Sequence, residues 1–214
     1  MKRCLLLSLV VCCWLVPMSL GAETVHLFLV GRDQGWIRGD STQVSLGRED
    51  SIEALAYTHM VVAEPDPRSG MAGTVRDHFP VTILKRIDKS SPRLFRAWQR
   101  HEPCTATFKF FRPNPTGDGT TQQFYTVELR GVYISGIRQE VPNTMDPATA
   151  NYPPVERVSF TYADITETWT NDGFEAGDEW HANTTRVPFG DVNFDGIVNM
   201  NDFVILADDW MTQY

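Results

Sequence analysis

Cysteine is scarce in this chain: there are four among 214 residues, and Cys4, Cys12 and Cys13 all fall near the N-terminus. Only Cys104 lies in the body. A body freed of its leader therefore holds no intrachain disulfide, whatever compartment it enters. Basic charge is also in deficit. Nineteen Lys and Arg face 27 Asp and Glu, a formal net charge of -8. A generic nucleic-acid binder needs a basic surface to neutralise phosphates, so that class is excluded. Catalytic signatures are missing too. No nucleophile elbow is present, and Cys104 has only His101 near it in sequence. The five histidines (His26, His59, His78, His101, His181) show no metal-ligand spacing. The carboxylates are scattered, and no glycosidase pair stands out. The expectation is that the chain is not an enzyme.

What is present begins with a leader. Lys2 and Arg3 precede an apolar run from Cys4 to Val16, broken only by Ser8 and closed by Pro17. Ser19 and Gly21 place small residues at the -3 and -1 positions of a cleavage site. That layout predicts a signal peptide over residues 1–21 and a secreted protein, extracellular or periplasmic. The run falls short of a spanning helix, so no membrane span is expected after cleavage.

Charge is unevenly spread. Residues 23–163 carry 16 acidic and 16 basic side chains and are neutral as a group. Residues 164–214 carry 11 acidic side chains against Arg186 alone. With 42% hydrophobic and 21% charged residues overall, the composition suits a body that buries a core.

Within that body, alternation dominates. Thr105 to Phe110 puts Ala106, Phe108 and Phe110 on one face, the period of a half-buried strand. Further strands are predicted at Glu23–Gly31, Ser51–Glu64, His78–Ile87, Phe124–Gln139 and Val155–Trp169. Gly131 and Gly136 mark a bend or bulge in the long one. Ala63 to Thr74, rich in Pro and Gly, reads as a loop, and Pro113 to Gly119 as a turn. One helix is predicted, capped by Ser91, started by Pro92 and stopped by Pro103. Leu94, Phe95 and Trp98 form its apolar stripe. Arg93, Arg96 and Arg100 form either a solvated face or an edge that meets a neighbouring subunit. Many strands with one helix imply a mainly β fold, a barrel or sandwich that must close or cover its edges.

The strand–helix junction from Phe79 to Leu94, with Ile87-Asp88-Lys89-Ser90-Ser91-Pro92 at its centre, resembles the haemolysin-coregulated protein (Hcp) family, tube proteins of type VI secretion. The preceding Gly/Pro loop, Phe124–Val132, Val158–Phe160, Thr168–Trp169 and Gly177–Trp180 match in order. The resemblance spans roughly Thr24 to Thr185 and implies an Hcp-like β-barrel with one flanking helix over residues 22–186. It also implies homo-oligomers, namely hexameric rings, and a non-enzymatic role as conduit, carrier or structural ring. The leader and the tail depart from that family's pattern, so the chain reads as such a barrel diverted to general secretion.

The tail, residues 187–214, carries a second pattern. Asp191, Asn193, Asp195, Asn199 and Asp202 put oxygen side chains at positions 1, 3, 5, 9 and 12 of an EF-hand-type loop. Gly196 sits at position 6, and the Ile197 carbonyl falls at position 7. Ca²⁺ takes six to eight oxygens in a sharply turning loop, and these residues supply them. Phe203, Leu206, Ala207 and Trp210 then follow on one helical face. With Asp at position 12 and no entering helix, the segment resembles a single type I dockerin repeat. That resemblance implies a cohesin-like partner. The alternative function is an accessory or binding module of an extracellular polysaccharide-degrading assembly.

Overall fold

A computed structural model describes residues 23–65 and 72–180, together with Met200. The signal peptide expected over residues 1–21 and the expected calcium ligands Asp191, Asn193, Asp195, Ile197, Asn199 and Asp202 lie outside the described residues.

The chain runs β1 (Thr24–Gly31), β2 (Gly35–Ile37), β3 (Ile52–Thr58), β4 (Val61–Pro65), β5 (Ala72–His78), β6 (Val81–Arg86), α1 (Ser91–Gln99), β7 (Cys104–Pro113), β8 (Thr121–Glu140), β9 (Val155–Thr161), β10 (Asp164–Trp169) and β11 (Phe174–Glu179). Every pairing is antiparallel. The principal sheet follows the order β11-β10-β8-β7-β1-β3-β6-β9, and β9 also pairs with β8. That last pairing joins the sheet to itself, so β8-β7-β1-β3-β6-β9 is a closed barrel.

Strand β8 makes closure possible by serving two partners along its 20 residues. Its first half lies between β7 and β10, from Tyr125 to Arg130. Its second half, Tyr133 to Glu140, pairs with β9. Gly131 sits between the halves at φ 60°, where a Cβ would come 2.8 Å from the Ala163 Cβ. Only glycine takes that backbone cheaply, and only glycine leaves room for the turn of β9 into β10. A register shift between Ile134 and Gly136 adds the bulge anticipated there.

The inward phase of each strand fills the barrel. Leu27 and Leu29 of β1, Ala106 and Phe108 of β7, Val127 and Leu129 of β8, and Val158 and Phe160 of β9 are buried. From α1, Leu94 and Ala97 join them, while Phe95 and Trp98 stay outside. Fully burying one such apolar side chain contributes about 1.5–3 kcal/mol.

Four sequence expectations need correction. The strand expected over Ser51–Glu64 breaks at His59 and Met60. Its second part leaves the barrel and pairs with β5 in a separate two-stranded arm. At the described ends of the loop expected over Ala63–Thr74, residues 63–65 and 72–74 are strand residues of this arm. Val155–Trp169 turns at Tyr162 and Ala163 into two strands, and β11 was not anticipated. Ser91 is the first helical residue rather than the cap. The cap position, Ser90, makes no side-chain capping bond, and the Asp88 carboxylate accepts its backbone N–H at 2.8 Å.

Candidate assembly surfaces and the junctions behind them

The junction between β6 and α1 is built on a buried ion pair. Val81, Ile83 and Lys85 alternate inward along β6, as Glu156, Val158 and Phe160 do along β9. Lys85 and Glu156 are direct cross-strand partners, and both are fully buried. The Lys85 ammonium donates to Glu156 Oε1 at 2.7 Å, to Asp88 Oδ1 at 2.8 Å and to the Arg86 carbonyl at 2.7 Å. Ser91 donates its hydroxyl to Glu156 Oε1 at 2.7 Å and accepts the Asp88 backbone N–H at 3.0 Å. Gln139 donates to Glu156 Oε2 at 3.0 Å. Each charge is thus paired and hydrogen-bonded, the condition under which a buried ion is tolerated. Burial pushes the Asp88 carboxyl up, but bonds from Lys85 and Ser90 outweigh it and hold it below the usual carboxylate range. In chemical terms, Lys85, Asp88 and Ser91 lock the helix to the barrel rim.

A second carboxylate fixes the far end of α1. Glu102 Oε1 accepts the backbone N–H groups of Asp33 and Gln34, each at 2.7 Å, and Oε2 accepts Gln34 Nε2 at 2.8 Å. The same Gln34 amide reaches the Arg93 carbonyl at 3.1 Å. Gly31 makes room for this carboxylate, since a Cβ there would lie 3.0 Å from Glu102 Cδ. The helix is therefore held at both ends, and its outer face is presented as a rigid surface.

The base of the β4–β5 arm is tied to the β10–β11 flap through Tyr162. Its hydroxyl shares hydrogen bonds with His59 Nε2 at 2.7 Å and His78 Nδ1 at 2.8 Å. His78 Nε2 meets Asp178 Oδ2 at 3.1 Å, and Arg76 grips the same carboxylate with two nitrogens, at 2.8 and 2.6 Å. The Trp180 ring packs edge-on against Tyr162 at 4.8 Å. Burial lowers the His59 pKa, with neighbouring His78 adding to the effect and Glu167 opposing it.

These supports carry exposed features suited to protein contact. Strand β11 ends the sheet, with Phe174 70% exposed at its start and Glu175 and Glu179 along it. An edge strand offers unpaired N–H and C=O groups to a neighbouring chain. Phe95 and Trp98 project from α1, and Val61 and Val62 from the arm.

The one cysteine among the described residues, Cys104, is buried. Burial pushes the Cys104 thiol up to about 11, with Glu102 adding to the effect, the opposite of an activated nucleophile. Among the described residues no group of three or more His, Cys, Asp or Glu side chains is placed to hold a metal ion. Among those residues no helix is long and apolar enough to cross a membrane. None of the proposed calcium ligands can be placed relative to these surfaces, because they lie outside the described residues. The sequence reading named neither the Lys85–Glu156 pair nor the Glu102 clamp. The signal for the first was visible: opposite charges falling on the inward phase of two alternating strands.

The family model described as "Type VI secretion system effector, Hcp" matches residues 28–169. The "Major exported protein" of Pseudomonas aeruginosa is 32% identical over 169 residues, covering 75% of this chain and 97% of that protein. A crystal structure of an Hcp protein superposes with a TM-score of 0.66 at 28% identity, over 74% of this chain and 98% of the other. The secreted protein Hcp3 of Pseudomonas aeruginosa superposes with a TM-score of 0.58 at 26% identity, over 74% and 99% respectively.

Proposed function

From the premise that the chain belongs to the Hcp family of type VI secretion system effectors, we propose that it is an exported, non-enzymatic subunit of a homo-oligomeric ring. The observation that carries this reading is the closed barrel with an end strand, β11, and exposed apolar side chains such as Val61, Val62 and Phe174 left for neighbours. A heterologous contact, one edge of each copy against a different face of the next, closes into a ring when the rotation permits. A body of balanced charge approaches its own copies without strong repulsion. The name of the Pseudomonas relative supports export, and the apolar leader supplies a route. Size-exclusion chromatography with light scattering, on the chain lacking residues 1–21, should give about six protomer masses, the ring size of the family resemblance. A strict monomer at high concentration would remove the ring.

The tail adds a second element, read from the sequence alone. Asp191, Asn193, Asp195, Ile197, Asn199 and Asp202 would bind one Ca²⁺, ordering a dockerin-like segment for attachment to a cohesin-like partner. The alternating oxygen ligands around Gly196 are the support for this reading. Calorimetric titration with Ca²⁺ should show binding to the wild type and none to Asp195→Ala. No heat from the wild type would dismiss the calcium site while leaving the ring untouched.

A further inference from the structure

The β4–β5 arm is tied down at its base by a hydrogen-bond chain with a fixed direction. Arg76 and His78 of β5 both end on the Asp178 carboxylate of β11. An ionised carboxylate only accepts, so His78 Nε2 carries the hydrogen that reaches Asp178 at 3.1 Å. In a neutral ring His78 Nδ1 is then a bare acceptor, and the Tyr162 hydroxyl donates to it at 2.8 Å. With its own hydrogen spent, the Tyr162 oxygen accepts from His59 Nε2 at 2.7 Å. That leaves His59 Nδ1 without a hydrogen, 3.9 Å from Glu167 Oε1. The chain therefore runs from His59 to Tyr162 to His78 to Asp178. Burial, with Asp178 and Glu167 adding to the effect, holds the Tyr162 phenol well above its ordinary pKa, so the hydroxyl keeps its hydrogen. The histidine side chains are 11% and 1% exposed, so water does little to relieve a mismatch.

We propose that this cluster is an acid-released latch, which holds the arm against the β10–β11 flap while the two imidazoles carry at most one extra proton between them and frees it when both are protonated. The charged groups facing the histidines are Arg76 from β5, Asp178 from β11 and Glu167 from β10, with the phenols of Tyr57, Tyr125 and Tyr162 alongside. With both rings neutral, the two carboxylates outnumber Arg76 by one charge. A proton on His59 Nδ1 balances that charge and faces Glu167, while every bond of the chain keeps its direction. A proton on His78 Nδ1 turns the Tyr162 hydroxyl toward His59 Nε2 and moves the His59 hydrogen to Nδ1, and the chain closes again. Two protons do not fit. Both rings then donate to one oxygen, neither can accept the Tyr162 hydrogen, and two poorly solvated cations share one hydroxyl. Water relieves all of this once the arm swings out. The direction agrees with the His59 pKa, which burial lowers and His78 lowers further, against Glu167. A base depressed in the folded state contributes stability above its ordinary value, and that contribution is lost as pH falls, so the latch weakens below 6.5.

The test is hydrogen–deuterium exchange of the chain lacking residues 1–21, read by mass spectrometry at about pH 7.5 and about pH 5 and corrected for intrinsic exchange rates. In the wild type the β4 and β5 amides should lose at least about tenfold in protection at the lower pH, since one linked proton is worth up to about tenfold per pH unit. The β1 and β7 amides of the barrel should lose far less. His59→Gln keeps an N–H donor for the Tyr162 oxygen but takes up no proton, so its arm should lose less than about threefold. Tyr162→Phe removes the oxygen that both rings share, so its arm should exchange freely at the higher pH already and show no acid step. Barrel protection at the higher pH reports that each variant is folded, and the wild-type comparison decides the matter if one is not. Equal arm protection in the wild type at the two pH values would overturn the proposal, as would arm and barrel losing protection together. A full acid step in His59→Gln would overturn it too, and so would a protected arm in Tyr162→Phe.

Discussion

Replacing Lys85 with Met should damage the fold far more than replacing Lys85 and Glu156 together. The ammonium lies 2.7 Å from Glu156 Oε1 and 2.8 Å from Asp88 Oδ1, and neither Lys85 nor Glu156 is exposed to solvent. Removing the cation alone leaves the Glu156 carboxylate buried with only the neutral donors Ser91 and Gln139. Breaking a buried pair from one side costs about 3–5 kcal/mol, because the surviving charge stays desolvated. With a urea m-value of about 2 kcal/mol/M, that is a fall of about 1.5–2.5 M in the unfolding midpoint. The double variant Lys85→Met with Glu156→Leu removes both charges and keeps the inward phase apolar. Exchanging a buried pair for hydrophobic residues is often neutral or stabilising, so the double variant should recover most of the loss. The arms are urea unfolding curves for the wild type, both single variants and the double, closed as a thermodynamic cycle. A Lys85→Met loss below about 1 kcal/mol, or a double variant as unstable as the sum of the singles, would refute the argument that the junction depends on paired burial.

Other parts of the molecule make separate predictions. The His26 pKa is pushed down to about 4 by burial, with the Arg48 charge adding to the effect. A base depressed in the folded state stabilises above its ordinary pKa of 6.5 and loses that contribution as pH falls from there toward 4. The urea midpoint should decline across that window, and His26→Gln should flatten the decline; an unchanged slope in the variant counts against it. Gly131→Ala should destabilise by about 2 kcal/mol or more, from a positive φ combined with the approach to Ala163. A thermal melt within a degree of the wild type would contradict that. Native Cys104 should resist a thiol-reactive dye until denaturant is added, as a buried thiol with its pKa at about 11 must. Rapid labelling of the native protein would refute it.

Much of the barrel is legible in the sequence because barrel strands advertise themselves by period. Ala106, Phe108 and Phe110 point to their face without any structure, and Gly131 and Gly136 mark the bend that lets β8 change partners. The arm and the flap were harder to see for a physical reason. The described side chains of β4 are exposed, and β11 is exposed along most of its length, so neither carries an alternation to read. The breaks at His59 and Tyr162 are likewise silent, because neither is glycine or proline; both residues turn out to share one hydrogen-bonded cluster. Lys85 stands in the stretch that carries the family resemblance, and its burial follows from the phase set by Val81 and Ile83. The assembly surfaces depend on which apolar residues end up outside. Phe95 and Trp98 share a stripe with Leu94 in sequence and part from it only when the helix packs.

The claim that matters most is that these barrels close into rings. Native mass spectrometry of the chain lacking residues 1–21, across a concentration series, counts subunits directly. The account predicts a dominant species of six copies that persists on dilution. Monomer alone at every concentration would contradict it.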